Sequence, residues 1–546
     1  MIVAKSVSFS LVMPCFKCEK YVKKAIESIL DQDYEDWELI CVVNGDWIGK
    51  NKTLGIIRKY AEKDNRIQLV SIDKANACSA RNYGAERSKG KYISFFSSDF
   101  YMYPGALRKW KQAFDEHPEA DFVYSGYRLM EEGKMIEGYI FSEPFDPWRL
   151  RIEPYIDGGF PMKREVWEQG NWDVKIKSLN DWDFWLTAVD NGFKGYLMPD
   201  PTYAAEVPKA GGLSNDSHSN WVKRVSYIKK KHKIKESDIC VVSLGAAPHG
   251  MRIAKILGAD FKFPNPNPKQ PSFKPHSYKA IYLLGFYPGT GDSALRHTNV
   301  FKGFNGKKVI HWIGTDILQM LAIANKVCYR DVKVLMDALN GCENIAEFEQ
   351  THGELFSLGI ESKILALPIE QNIPLMKLPK TFKVAVYAAR TATAQQIYNL
   401  DFMKDLIIAC PDIKFVLFGG GLTDFKPKNV ENVGWCPMAE VLKKTSCLMR
   451  ITLHDGLPVT PIEFRLAGRD AITTVSMPYI HFAGSGNINE GNYSDRKEKI
   501  IGLLREVRKQ QKKHGVMDKK KAREYYLKLT DPKVFKRKFN KIINAK

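Results

Sequence analysis

Short apolar runs recur along this chain with helix-length amphipathic segments between them, and that alternation limits it to a small set of folds. Phe9–Met13, Leu39–Val43, Gln68–Ile72 and Tyr92–Phe96 are each the length of a buried strand. Between the first two runs, Val22, Ile26, Ile29 and Leu30 fall on one stripe of a helix. Strands alternating with helices imply an α/β fold on a mainly parallel sheet. The rhythm then restarts. The basic run Lys229-Lys230-Lys231-His232-Lys233 leads into a fresh strand, Ile239–Leu244, and a second series through Ala280–Leu284 and Lys308–Ile313. A Pro-rich crossing near Leu367–Pro379 precedes a third series, Val384–Ala388 and Lys414–Phe418. At 546 residues the chain exceeds the ~250–300 residues at which a single core stops growing. The expected division is a Rossmann-like domain over 1–235, lobes over 236–380 and 381–495, and basic helices over 496–546.

Charge narrows the partners. A formal net charge of +20 predicts attraction to polyanions or phosphate-bearing substrates. Part of the excess lies in Arg496–Lys546, where Ile500, Leu503, Leu504 and Val507 keep helical spacing and the outer Lys and Arg suit peripheral contact with an anionic membrane. No apolar stretch approaches the ~20 residues of a membrane span. The run near the N-terminus reads as a strand, not a signal peptide. Ten cysteines lack disulfide-framework spacing, and the C-x-x-C of Cys15 and Cys18 has no second pair to complete a zinc site. The expected compartment is therefore the cytoplasm, with contact at the inner membrane face. No helix-turn-helix, zinc finger or aromatic RNA platform is visible, which makes nucleic acid the weaker partner.

Carboxylate, arginine and asparagine side chains at the C-terminal ends of parallel strands can hold a phosphate-bearing ligand, bind a divalent cation or accept a proton.

Three blocks carry residues of that kind. They are "SLVMPCFKCEKYVKKAIESILDQDYEDWELICVVNGD", "ACSARNYGAERSKGKYISFFSSDFYMYPGAL" and "LNDWDFWLTAVDNGFKGYLM". In this order they resemble the opening, the A-R-N-x-G to D-x-D-D block, and the E-D-x-D-hydrophobic-W block of family-2 glycosyltransferases, which have the GT-A fold. The resemblance implies that Pro14 and Asn44, with Asp46 close by, cradle the nucleoside, and that Arg81 faces the donor. It implies that Asp99 contacts a divalent cation, Mn²⁺ or Mg²⁺, and that Asp181 is the general base. Val43, Ser97 and Asn180 depart from the family pattern, each replacing a carboxylate.

The stretch "FVLFGGGLTDFKPKNVENVGWCPMAEVLKKTSCLMRITLHDGLPVTPIEFRLAGRDAITT" is similar to the donor half of GT-B-fold enzymes of the family-4 group. Asp455 and Glu463 stand eight residues apart, as in that group's paired acids. The Gly456-Leu457-Pro458 turn can offer backbone N–H groups to a diphosphate, and Gly419, Gly420 and Gly421 allow close backbone approach. By resemblance Glu463 binds the ribose, Asp455 approaches the donor sugar, and Arg390 and Arg450 offset the diphosphate without metal. His249, His311 and Asp316 are candidate acceptor contacts. The expectation is a bifunctional glycosyltransferase taking UDP-, dTDP- or GDP-sugars to a glycan or lipid-linked acceptor in surface polysaccharide synthesis. The alternatives are sugar transfer to nucleic acid, or a glycan-binding scaffold with one or both modules inactive.

Overall fold

The computed structural model describes residues 7–545 apart from 46–51, 74–75, 132–133, 141–143, 207–217, 236, 244–245, 263–277, 287–298, 302, 315, 318–319, 321–338, 370–371 and 485–491. The chain forms two compact units, Met1–Glu236 and Ser237–Lys546.

The N-terminal unit is built on a seven-stranded sheet. Its spatial order is Gly195–Leu197, Phe122–Tyr124, Met162–Lys163, Tyr92–Ser94, Phe9–Cys15, Trp37–Asn44, Ile67–Ile72. The last four strands run parallel, with Phe9 opposite Trp37 and Cys15 opposite Val43. All eight residues of Trp37–Asn44 are buried, as expected of a parallel strand covered on both faces. The helix Val22–Leu30 seats Val22, Ala25, Ile26 and Ile29 in the core. Strand order reverses between Phe9–Cys15 and Tyr92–Ser94. Connections leave that point to opposite sides and open a crevice beyond the strand ends. A four-stranded sheet of Phe100–Met102, Tyr203–Glu206, Tyr127–Glu131 and Lys134–Ile140 adjoins it in sequence through the segment carrying Asp99.

Ser237–Lys546 contains two six-stranded sheets, each parallel throughout. The first runs Asp260–Lys262, Ile239–Val242, Ala280–Leu284, Lys307–Trp312, Cys342–Ala346, Lys363–Ile364. The second runs Val430–Gly434, Lys414–Phe418, Lys383–Tyr387, Cys447–Arg450, Asp470–Thr473, His481–Phe482. Numbered along the chain, this second sheet has the 3-2-1-4-5-6 order of a dinucleotide-binding fold, with its switch point between Lys383–Tyr387 and Cys447–Arg450. Ile500, Ile501, Leu504 and Val507 of the helix Tyr493–His514 complete the core on one face of it. The helix Pro532–Ile543 reaches the first sheet instead, where the rings of Phe539 and Tyr282 lie 5.2 Å apart. Among the described residues no helix is long and apolar enough to cross a membrane.

Candidate active site

At the switch point of the N-terminal unit, the family-2-like residues converge from separate elements. Arg81 comes from the helix Ala77–Arg87, whose Asn76 cap accepts the Ser79 N–H at 3.0 Å. Its guanidinium lies 4.1 Å from the Trp172 ring, and Nη1 is 3.5 Å from Asp181 Oδ1. Asp181 occupies the first turn of the helix Asn180–Asp190, entered through Leu179 at φ +59. A left-handed leucine is a strained entry, of the kind that clusters at functional sites. The Asp181 side chain is 33% exposed, yet its Oδ1 is buried. Burial pushes its carboxyl up to about 6, against the pull of Arg81 and with the help of Asp157.

Asp99 stands exposed beyond the strand Tyr92–Ser94. Although the residue as a whole is exposed, desolvation of its carboxyl pushes it up to about 6, with Asp157 and Glu206 raising it further and a backbone N–H and Arg81 lowering it. The Glu206 N–H donates to the Asp99 carbonyl at 3.1 Å, and both residues line a cavity of about 540 Å³ with Tyr21, Tyr101 and Tyr103.

Asp157 is a third carboxylate, absent from the motif reading. It accepts the Tyr203 hydroxyl and the Gly159 N–H, both at 2.8 Å. Gly158 leaves room for the Asp181 carboxylate, since a Cβ there would sit 2.6 Å from Asp181 Oδ1 and 2.8 Å from Trp172. The only sequence trace of this arrangement is Asp157-Gly158-Gly159, ahead of the strand Met162–Lys163.

Pro14 lies in the strand Phe9–Cys15 opposite Val42. Asn44 is buried and turned inward. In the orientation that satisfies both amide atoms it donates to Cys15 O at 2.9 Å and accepts from Asn76 N at 3.2 Å. It thereby ties two strand ends to the cap of the Arg81 helix. Asp46 lies outside the described residues. Asp183, two residues past Asp181, is bound to Lys231 at 2.7 Å and His232 at 2.9 Å, which gives it a structural role.

In Ser237–Lys546, Arg450 ends one of the two strands at the switch point of the second sheet. Its Nε is 2.6 Å from Asp455 Oδ2, and its guanidinium lies 4.8 Å from the Tyr398 ring. Arg390 follows the other strand, exposed, 5.6 Å from the Trp435 ring. Gly419 and Gly420 have φ +103 and +82, and a Cβ on Gly420 would strike the Arg390 guanidinium at 2.6 Å. Gly419 N–H donates to Gly434 O and Gly421 N–H to Ala388 O, so these two amides shape the turn. Gly456 and Leu457 precede the helix Val459–Leu466, on which Glu463 is half-buried.

Of the acceptor candidates, Asp316 is fully buried and accepts the N–H groups of Phe286, Ile313 and Ile317 at 2.9 to 3.0 Å. His311 is buried beside the Tyr282 hydroxyl, and burial lowers its imidazole to about 3. Burial likewise lowers His249 to about 4. These are features of neutral, packed groups.

Residues 10–164 match the family described as glycosyl transferase family 2. The chain is 27% identical over 192 residues to TuaG of Bacillus subtilis, a glycosyltransferase named for teichuronic acid biosynthesis, covering 35% of this chain and 75% of that one. It is 27% identical over 201 residues to the glycosyltransferase EpsE of the same organism, 36% and 71% of the two chains. It is 37% identical over 119 residues to the minor teichoic acid biosynthesis protein GgaB, also of B. subtilis, 21% of this chain and 13% of that one. The N-terminal unit therefore contains a glycosyl transferase family 2 domain, and the chain is a glycosyltransferase.

Proposed function

We propose that the chain has two nucleotide-sugar transferase centres, a family-2 centre of GT-A type in the N-terminal unit and a GT-B-like centre in Ser237–Lys546. The observation that carries the first is Arg81 set 3.5 Å from Asp181, with Asp157 and Asp99 in its field. A carboxyl near 6 is ionised at neutral pH yet more basic than an ordinary aspartate, which suits a general base. Asp181 takes the proton of the acceptor hydroxyl as its oxygen attacks the anomeric carbon. The bond to the nucleotide diphosphate breaks, and configuration inverts. Arg81 attracts the diphosphate of a UDP-, dTDP- or GDP-sugar.

Among the described residues no cluster of three protein ligands could hold a metal on its own. Asp99 with Glu206 beside it nevertheless offers only oxygen donors, and one or two carboxylates completed by substrate phosphates suit Mg²⁺ or Mn²⁺. Asp99 would hold the ion, which when bound neutralises charge on the leaving diphosphate.

Arg450 and Asp455 at the switch point of a 3-2-1-4-5-6 sheet support the second centre. There Arg390 and Arg450 offset the diphosphate without metal, Asp455 approaches the donor sugar, and Glu463 receives the ribose. The names of TuaG and GgaB, with the net charge of +20, support an anionic cell-surface glycan on a lipid-linked acceptor as product. The cationic helices beyond Tyr493 would rest on an anionic membrane face.

A screen of UDP-, dTDP- and GDP-sugars on wild type, Asp181→Asn and Glu463→Ala tests this reading. The two substitutions remove separate activities, and chelation stops only the one lost in Asp181→Asn. A single substitution that ends all turnover would refute the two-centre proposal.

A further inference from the structure

Glu347 lies just beyond the strand Cys342–Ala346 in the first sheet of Ser237–Lys546, 3% exposed. Its carboxyl group, which burial holds well above the usual carboxylate range, crosses to the Asp455-Gly456-Leu457 turn of the second sheet, where Oε2 accepts the Leu457 N–H at 2.5 Å. Gly456 is pressed against the same group, since a Cβ there would strike Glu347 Oε2. Gly314, at φ +93, brings a loop of the first sheet onto the backbone of Gly456. The other carboxylates facing Glu347 are already engaged. Asp455 holds Arg450, and Asp316 holds three backbone N–H groups.

An acceptor oxygen on a backbone N–H at the entrance to a helix occupies the place that a phosphate or sugar oxygen takes when a ligand binds there. Resting on the reading of this turn as part of a donor site, we propose that Glu347 is an internal occupant of that site. It holds the Leu457 amide until a nucleotide sugar displaces it, and so sets donor affinity in the second centre. Apparent affinity for a site that must first open falls by the fraction of molecules already open. Glu347 thus withholds the second centre from dilute nucleotide, and binding depends on the two sheets of this unit releasing their hold on each other.

The test is titration of the full chain with UDP, and in parallel with GDP, read by amide hydrogen exchange across residues 447–466. That local readout separates this site from the N-terminal one. Glu347→Ala removes the occupant, and Glu347→Asp withdraws it by one methylene. Glu347→Gln keeps an acceptor oxygen in place. The expected result is a midpoint roughly tenfold lower in Glu347→Ala and lowered in the same direction in Glu347→Asp, with Glu347→Gln close to wild type. Should Glu347→Ala fail to fold, Glu347→Asp carries the comparison. Midpoints that are unchanged or raised in the variants overturn the inference and leave the donor site standing. Absence of protection by either nucleotide in every protein overturns the donor-site reading itself.

Discussion

Arg81 and Asp181 face each other at 3.5 Å with no hydrogen bond between them, although Nη1 and Oδ1 are both buried. Such a pair gives up part of the stabilisation that would offset its burial. What it retains is a lone pair on Oδ1 not taken by Arg81, beside a cation that keeps the carboxylate charged. Removing the cation should therefore move the base before it moves the fold. In Arg81→Gln the acid limb of the pH–rate profile shifts upward by about one unit, since an adjacent guanidinium lowers a carboxyl pKa. Steady-state rates from pH 5 to 8 measure it.

Burial raises the Asp181 carboxyl to about 6, and the proposed role of general base belongs to its ionised form. In wild type kcat/KM is level above that value and falls about tenfold per unit below it. Asp181→Asn lowers kcat by a factor of about 10² to 10⁴ and flattens the limb. An unchanged limb in that variant would assign the titration to another group, of which Asp99 is the first choice.

Gly158→Ala tests close approach. A methyl group 2.6 Å from Asp181 Oδ1 must displace either the carboxylate or Trp172. Overpacking of this kind costs about 1–3 kcal/mol, which lowers Tm by a few degrees. Turnover falls more steeply than stability, because a base moved by ~1 Å loses about a hundredfold. Scanning calorimetry beside kcat separates the two effects.

In the second unit, Arg465 and Asp470 form a fully buried pair at 2.8 Å, with Gln511 Nε2 on the same carboxylate at 2.9 Å. Asp470→Ala removes the counter-ion of the buried guanidinium, leaving it the carbonyls of Arg469 and Met517, and costs about 3–5 kcal/mol. Asp470→Asn keeps an acceptor and costs less. Urea titration of both variants gives the ordering.

The sequence made the strands and the charged residues next to them readable, because a buried parallel strand is a continuous apolar run and the chain has to turn just past it. Asp99 and Asp181 were legible through the resemblance of their segments to the family-2 blocks, and Arg450 through the likeness of its stretch to the family-4 donor half. Asp181 itself opens a helix and follows no strand. Asp157 and Glu347 were not legible. Each acts through an oxygen placed by tertiary packing, Asp157 on Tyr203 and Glu347 on Leu457, more than forty residues away in both cases. Nothing in the neighbouring residues marks such a pairing. Asn44 illustrates the converse. Its position beside the site was legible, but the direction of its amide depends on Cys15 and Asn76, which no local pattern specifies.

The packing of Phe539 on Tyr282 has a bearing on biosynthesis. A ribosome releases the strand Ala280–Leu284 long before it releases the helix Pro532–Ile543, and until then one aromatic surface of that strand has no cover. Nascent chains would wait in a partly open form for the whole interval, exposed to association with one another. Apolar surface left open in this way is what makes partly folded chains prone to association and draws chaperones to them.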